Sequence, residues 1–305
     1  MNLLSVLAPR FSKRRLTLSI LRDFRYSPAS ILGRLASVNF VNYRVCRSLT
    51  MHCNVCGVDG AMSYDFPDAN IRKAHGIGLL RETLRCRSCG STMRDRQIAF
   101  GLLTMVAERF GQVVPDLASF RRQPGGVLRI LDSDSFSPIN RVLRGLPGYV
   151  HSQFVPGRKN GDTLPDGSVV VDLEDIPFPD ASFDVVLTSD VMEHVVDDAA
   201  AHRSIFRCLG AGGAYVFTIP YDPGMQGTRV LTARTGQAGP ASHLFLEKHV
   251  HGDPHSDGGI VAHRIYGRQL LDDLSQIGFQ PTFLGLNEPC NGIYGGDLFV
   301  ARKGR

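Results

Sequence analysis

Apolar residues recur at helical spacing along residues 94–110, with Ile98, Leu102, Leu103, Met105 and Val106 carrying the repeat, so a helix is predicted there. Pro115, Gly125 and Gly126 then mark residues 115–126 as a linker. From Val127 the pattern changes to short apolar runs of strand length separated by helical stretches. Strands are predicted at 127–131, 149–154, 169–171, 183–188, 214–219, 282–286 and 298–301, and helices at 138–146, 197–209 and 266–276. Strands alternating with helices imply βαβ units and a doubly wound, mostly parallel α/β sheet, whose ligands belong at the carboxyl ends of the strands.

Residues 1–50 read differently. Leu16, Ile20, Leu21, Phe24, Ile31, Leu32 and Leu35 are spaced as on a helix, interrupted at Pro28. Nine Lys or Arg stand there against one acid, Asp23. This basic amphipathic arm is expected to pack on the body with its Arg stems over apolar surface; the alternatives are docking on a membrane surface or a polyanion. The 305 residues carry 34 Lys plus Arg and 29 Asp plus Glu, so removing the arm leaves 25 basic and 28 acidic groups. A slightly acidic body argues against a nucleic-acid binder over its whole surface. No run of about 18 apolar residues occurs, so no membrane-spanning helix is expected, and the chain reads as cytoplasmic.

Seven cysteines include two CxxCG pairs, Cys53-Asn-Val-Cys56-Gly57 and Cys86-Arg-Ser-Cys89-Gly90. Each pair brings two thiolates to one ion, and a Gly after the second Cys turns backbone N–H groups toward sulfur. Residues 51–92 are therefore expected to form a ribbon with one structural Zn2+ on Cys53, Cys56, Cys86 and Cys89, closed to water and without a catalytic role. Arg81, Arg85, Arg87, Arg94 and Arg96 surround the second pair and read as a charged rim, or as an RNA contact.

The run DLEDIPFPDASFDVVLTSDVMEHVVDD, followed by RCLGAGGAYVFTIP, resembles class I S-adenosylmethionine (SAM)-dependent methyltransferases of the type 11 group over about residues 127–302. Its arrangement after a paired CxxCG is similar to bacterial members with an N-terminal zinc ribbon. The resemblance implies a Rossmann-like, seven-stranded sheet of order 3-2-1-4-5-7-6 with SAM over the first four strands. It also implies that Asp172 and Leu173 hold adenine, that Ser189 lines the methyl-donor side, and that Asp132 holds the methionine ammonium directly or through water. The family's first loop has the pattern LDxGxGxG, whereas here Ser133, Asp134 and Ser135 replace glycines. Gln153 stands where an acid usually meets the ribose.

For the acceptor's proton two sets stand out. Asp190 and His194 would share a face, acid orienting imidazole, if a helix began at the EHV segment. His251 and His255 lie among His243, His249 and His263 in a Gly- and Pro-rich stretch, read as a loop in a lid at about 221–265. The expected organisation is an arm (1–50), a zinc ribbon (51–92), a helix and linker (93–126) and a methyltransferase domain (127–305). The expected acceptor is a hydroxyl or amine of a small molecule or glycan. RNA methylation through the ribbon, and a non-catalytic scaffold of the same fold, are the alternatives.

Overall fold

The computed structural model describes residues 50–64, 80–123, 127–234, 243–245, 250–253 and 256–304. The arm expected at 1–50 lies outside the described residues except for Thr50. The ribbon comprises β1 (Thr50–His52), β2 (Asp59–Tyr64), the single turn α1 (Leu80–Thr83) and β3 (Leu84–Cys86), with the strands antiparallel in the order β1-β2-β3. Next comes α2 (Met93–Phe110), started by a capping box in which Thr92 and Asp95 exchange bonds and ended by Gly111 in the left-handed conformation.

The linker expected at 115–126 contains an element, α3 (Leu117–Arg122). The Asp116 carboxylate caps it through Ser119 N–H, and Leu117 and Phe120 are buried, which outweighs the Pro and Gly signals at its flanks. The sheet follows: β4 (Ile130–Asp132), α4 (Pro138–Leu143), β5 (Tyr149–Gln153), β6 (Val169–Val170), β7 (Phe183–Ser189), α5 (Asp198–Cys208) and β8 (Leu209–Thr218). Between β8 and α6 (Gln269–Ile277) stand β9 (Arg229–Val230), β10 (Thr232–Arg234), β11 (His243–Phe245), β12 (Val250–Asp253), β13 (Ser256–Val261) and β14 (Arg264–Ile265). The stretch read as a lid loop thus carries paired strands, β10 with β11, β12 with β13 and β9 with β14. β15 (Phe279–Glu288) and β16 (Ile293–Lys303) close the chain.

The large sheet runs β15-β16-β8-β7-β4-β5-β6, parallel from β8 to β6, with β16 antiparallel to both neighbours. Counted along the chain this is the expected 3-2-1-4-5-7-6. Alternation sorts the strand residues onto two faces. Ile130, Val185, Leu187, Val216, Leu298 and Val300 pack with Ile98, Leu102, Met105 and Val106 of α2, while Leu131, Val186, Tyr215, Phe217 and Phe299 pack with Ile205 of α5 and Leu270 and Leu274 of α6. On α2, Gly101 permits close approach to the sheet, since a Cβ there would lie 2.5 Å from Val216 Cγ1. No helix among the described residues is long and apolar enough to cross a membrane.

Candidate active site and metal centre

The two CxxCG turns face each other across the ribbon. The sulfurs of Cys53, Cys56, Cys86 and Cys89 all lie within 4.8 Å of one another, with Cys53–Cys89 and Cys56–Cys86 at 3.8 Å. A tetrahedron with metal–sulfur bonds of about 2.3 Å has edges of about 3.8 Å, so the donor set fits one ion. Gly57 and Gly90 sit at φ 75° and 76°, and their N–H groups donate to Cys53 O and Cys86 O. The Cys86 and Cys89 thiols hold Cys53 well below the ordinary cysteine range, while bonding to Cys53 pushes Cys89 up.

At the crevice where the strand order reverses, between β4 and β7, two hydroxyls have no partner among the described residues: the buried Oγ atoms of Ser133 and Ser189. Buried hydroxyls are rarely left unpaired, so these two are candidates to bond a polar ligand. The loop after β4 manages without glycine because none of residues 133–136 adopts positive φ. Side chains hold it instead. Asp134 N–H donates to Asp132 Oδ1, Phe136 N–H to Asp134 Oδ1, and Ser135 Oγ–H to Ser152 O.

Both Asp132 oxygens accept a hydrogen bond within the fold, Oδ2 from Tyr149 O–H at 2.7 Å and Oδ1 from Asp134 N–H. Burial, and after it Asp134, push the carboxyl up to about 7. Gln153 donates its amide to Ser168 Oγ, whose own proton goes to Asp166 Oδ1. That ordering fixes the amide nitrogen toward Ser168 and leaves the carbonyl oxygen as the acceptor a ribose hydroxyl needs. Asp172 caps the short 3-10 turn Leu173–Asp175 by accepting Glu174 N–H at Oδ1, and Leu173 is buried.

The helix that would set Asp190 and His194 on one face does not form. The EHV segment is a 3-10 turn, Met192–His194, and α5 begins later, at Asp198. Asp190, at φ 51°, is gripped by both guanidinium nitrogens of Arg81 and by Arg94 Nη1 at 3.1 Å. Burial alone would raise its carboxyl, but these two guanidinium groups hold it well below the usual range. His194 Nδ1 instead donates to Val261 O at 2.7 Å, and its Nε2 lies 3.6 Å from Glu193 Oε1. Glu193, which the sequence reading passed over, is buried with Oε2 unpartnered, and burial followed by Asp190 pushes it up to about 8. Its signal was the EH pair itself, set just after a strand end.

Arg264 locks this turn by donating to the carbonyls of Met192, Val195 and Val196, and Tyr266 O–H donates to Met192 O. His251 lies on β12 opposite Ile260, and His255 falls outside the described residues.

The profile of a methyltransferase-domain family, the type 11 group, matches residues 156–217. No curated protein matches the chain. Among solved structures it is similar to an S-adenosylmethionine-dependent methyltransferase from Mesorhizobium loti, at 21% identity over 61% of this chain and 95% of that one, TM-score 0.37. It is also similar to a SAM-dependent methyltransferase from Methanosarcina mazei, at 12% identity over 57% and 92%, TM-score 0.32. A third is phosphoethanolamine N-methyltransferase 2 from Haemonchus contortus, at 12% identity over 62% and 51%, TM-score 0.34. The match to the methyltransferase-domain family lies across β6 to β8, inside the seven-stranded sheet.

Proposed function

We propose that the protein transfers a methyl group from SAM to a hydroxyl or amine of a small molecule or glycan, in the cytoplasm, with one structural zinc in its ribbon. The pair of unpartnered hydroxyls at the β4–β7 crevice, Ser133 Oγ and Ser189 Oγ, carries this reading. SAM supplies an electrophilic methyl group on a sulfonium centre. Around it the chain's own residues have separable tasks. Asp172 Oδ2 and the backbone of Leu173 take the adenine edge, the Gln153 carbonyl accepts from a ribose hydroxyl, and Ser133 and Ser189 bond the polar methionine end. Asp132 and Asp134 keep the loop in shape. His194, with Nδ1–H committed to Val261 O, offers Nε2 as the atom that takes the acceptor's proton. His251 and His255 are the alternative bases.

The ribbon's arginines support a small acceptor over RNA. Arg81 and Arg94 bind Asp190, Arg85 donates to Gly90 O and Arg96 is fully buried, so of the expected basic rim only Arg87 stands exposed for phosphates. Four ribbon cysteines gathered as one donor set rather than paired in disulfides suit a reducing compartment. Calorimetry with SAM tests the reading: wild-type protein should bind, and Asp172→Ala should bind more weakly by about 1–3 kcal/mol. Absence of heat with wild-type protein would leave the scaffold alternative standing.

A further inference from the structure

Arg96 is the largest fully buried side chain among the described residues, at 0% exposure. Its Nη1 donates to Ser91 O at 2.6 Å, and its Nη2 donates to Leu84 O at 3.1 Å and Gly292 O at 3.0 Å, while Nε–H is buried without an acceptor. No carboxylate among the described residues forms an ion pair with it. A buried guanidinium facing only neutral carbonyls is costly unless an anion answers it. Burial works against its charge, and Cys53, Asp95, Cys86 and Cys89 favour it. The connection is short, since Ser91 O accepts from both Arg96 and Cys86 N–H while Ser91 Oγ lies 3.3 Å from Cys53 Sγ.

Four thiolates on a divalent ion carry a net charge of about −2, which a cation against the ribbon partly neutralises. The third acceptor, Gly292 O, belongs to the turn between β15 and β16, at the far edge of the large sheet. Asn291 on that turn donates to His52 O of the ribbon, so Arg96 stands in the seam joining the two.

We propose that Arg96 is the charge partner of the metal–tetrathiolate centre, so that metal occupancy and the seating of the ribbon on the sheet edge are coupled. This rests on the zinc reading. Because coupling is reciprocal, whatever unseats the ribbon weakens metal binding, and metal loss loosens the ribbon. The seating also carries Arg81 of α1 to Asp190, so the consequence extends to the end of β7.

The test measures zinc affinity of the full chain by competition with a chromogenic chelator. Arg96→Gln should bind zinc roughly 10- to 100-fold more weakly than wild type, the effect of losing an outer partner of a metal site, and Arg96→Lys should recover part of the loss by restoring the charge. Wild-type affinity in Arg96→Gln would overturn the coupling and leave the zinc reading intact. Wild-type protein that holds no metal would overturn both. Should the Gln variant fail to fold, hydrogen exchange of the wild-type chain with and without chelator decides. Faster exchange at 289–294 and in α1 after metal removal supports the coupling, and unchanged exchange there overturns it.

Discussion

Replacing Asp132 by Asn should make the protein more stable at pH 8, although the residue ends a central strand and accepts two hydrogen bonds. Its carboxyl is pushed from the ordinary 3.8 up to about 7, by burial first and by Asp134 second. A carboxyl raised in the folded state holds a proton there that the unfolded chain has released. Its stability contribution is therefore fully present below about pH 4 and is lost as pH rises toward 7, at 1.36 kcal/mol per unit. Over roughly three units that is about 4 kcal/mol in total. Asn cannot ionise, and its one carbonyl oxygen keeps one of the two donors, Tyr149 O–H or Asp134 N–H, losing the other at about 1 kcal/mol. The net expectation is a gain of about 2–3 kcal/mol at pH 8 and a loss of about 1 kcal/mol near pH 4. Urea unfolding at both pH values, followed by circular dichroism because the chain has no Trp, measures it at fixed zinc. Glu193, also raised, stays in both proteins, so some pH slope persists. An Asp132→Asn variant no more stable than wild type at pH 8 would refute the reasoning.

Gly57→Ala should destabilise the ribbon by about 1–3 kcal/mol, because φ is 75° and the new Cβ would lie 2.7 Å from Asp116 Oδ1. Gly60→Ala, with open space around it, is the matched control in the same thermal melt. Cys86→Ser should abolish stoichiometric zinc and melt the ribbon while the distal strands stay folded; full zinc by elemental analysis would contradict the four-thiolate site. His194→Ala should lower kcat roughly 10²- to 10⁴-fold with SAM affinity unchanged, and the pH–rate profile should lose its imidazole limb. If His251→Ala produces that signature instead, the base lies on β12.

The four-cysteine cluster was legible because its members are local pairs of fixed spacing, and the strand order followed from a long in-register motif. What sequence could not show was long-range. Asp190 and His194 are four apart, but the turn between them is 3-10, and Asp190's partners come from residues 81 and 94, about a hundred positions earlier. The glycine-free loop looked defective by motif, yet its serines and aspartates supply side-chain bonds that hold it without positive φ. α3 was missed because flanking Pro and Gly drew attention from the Asp116 cap. The strands between β8 and α6 were missed because β9, β10, β11 and β14 are only two or three residues long and β12 and β13 carry Gly in place of apolar alternation.

α2 has a consequence for how the chain can be cut. A boundary at Val127, which the motif suggests, would remove the helix that covers Val185, Leu187, Val216, Leu298 and Val300, leaving one face of the sheet bare. The same helix carries Arg94 and Arg96 toward the ribbon on its first turn. A sheet domain cut at Val127 would therefore aggregate through that face, whereas one beginning before Met93 would keep its apolar cover but carry the buried Arg96 without the ribbon against it. The smallest portable unit is one that includes the ribbon.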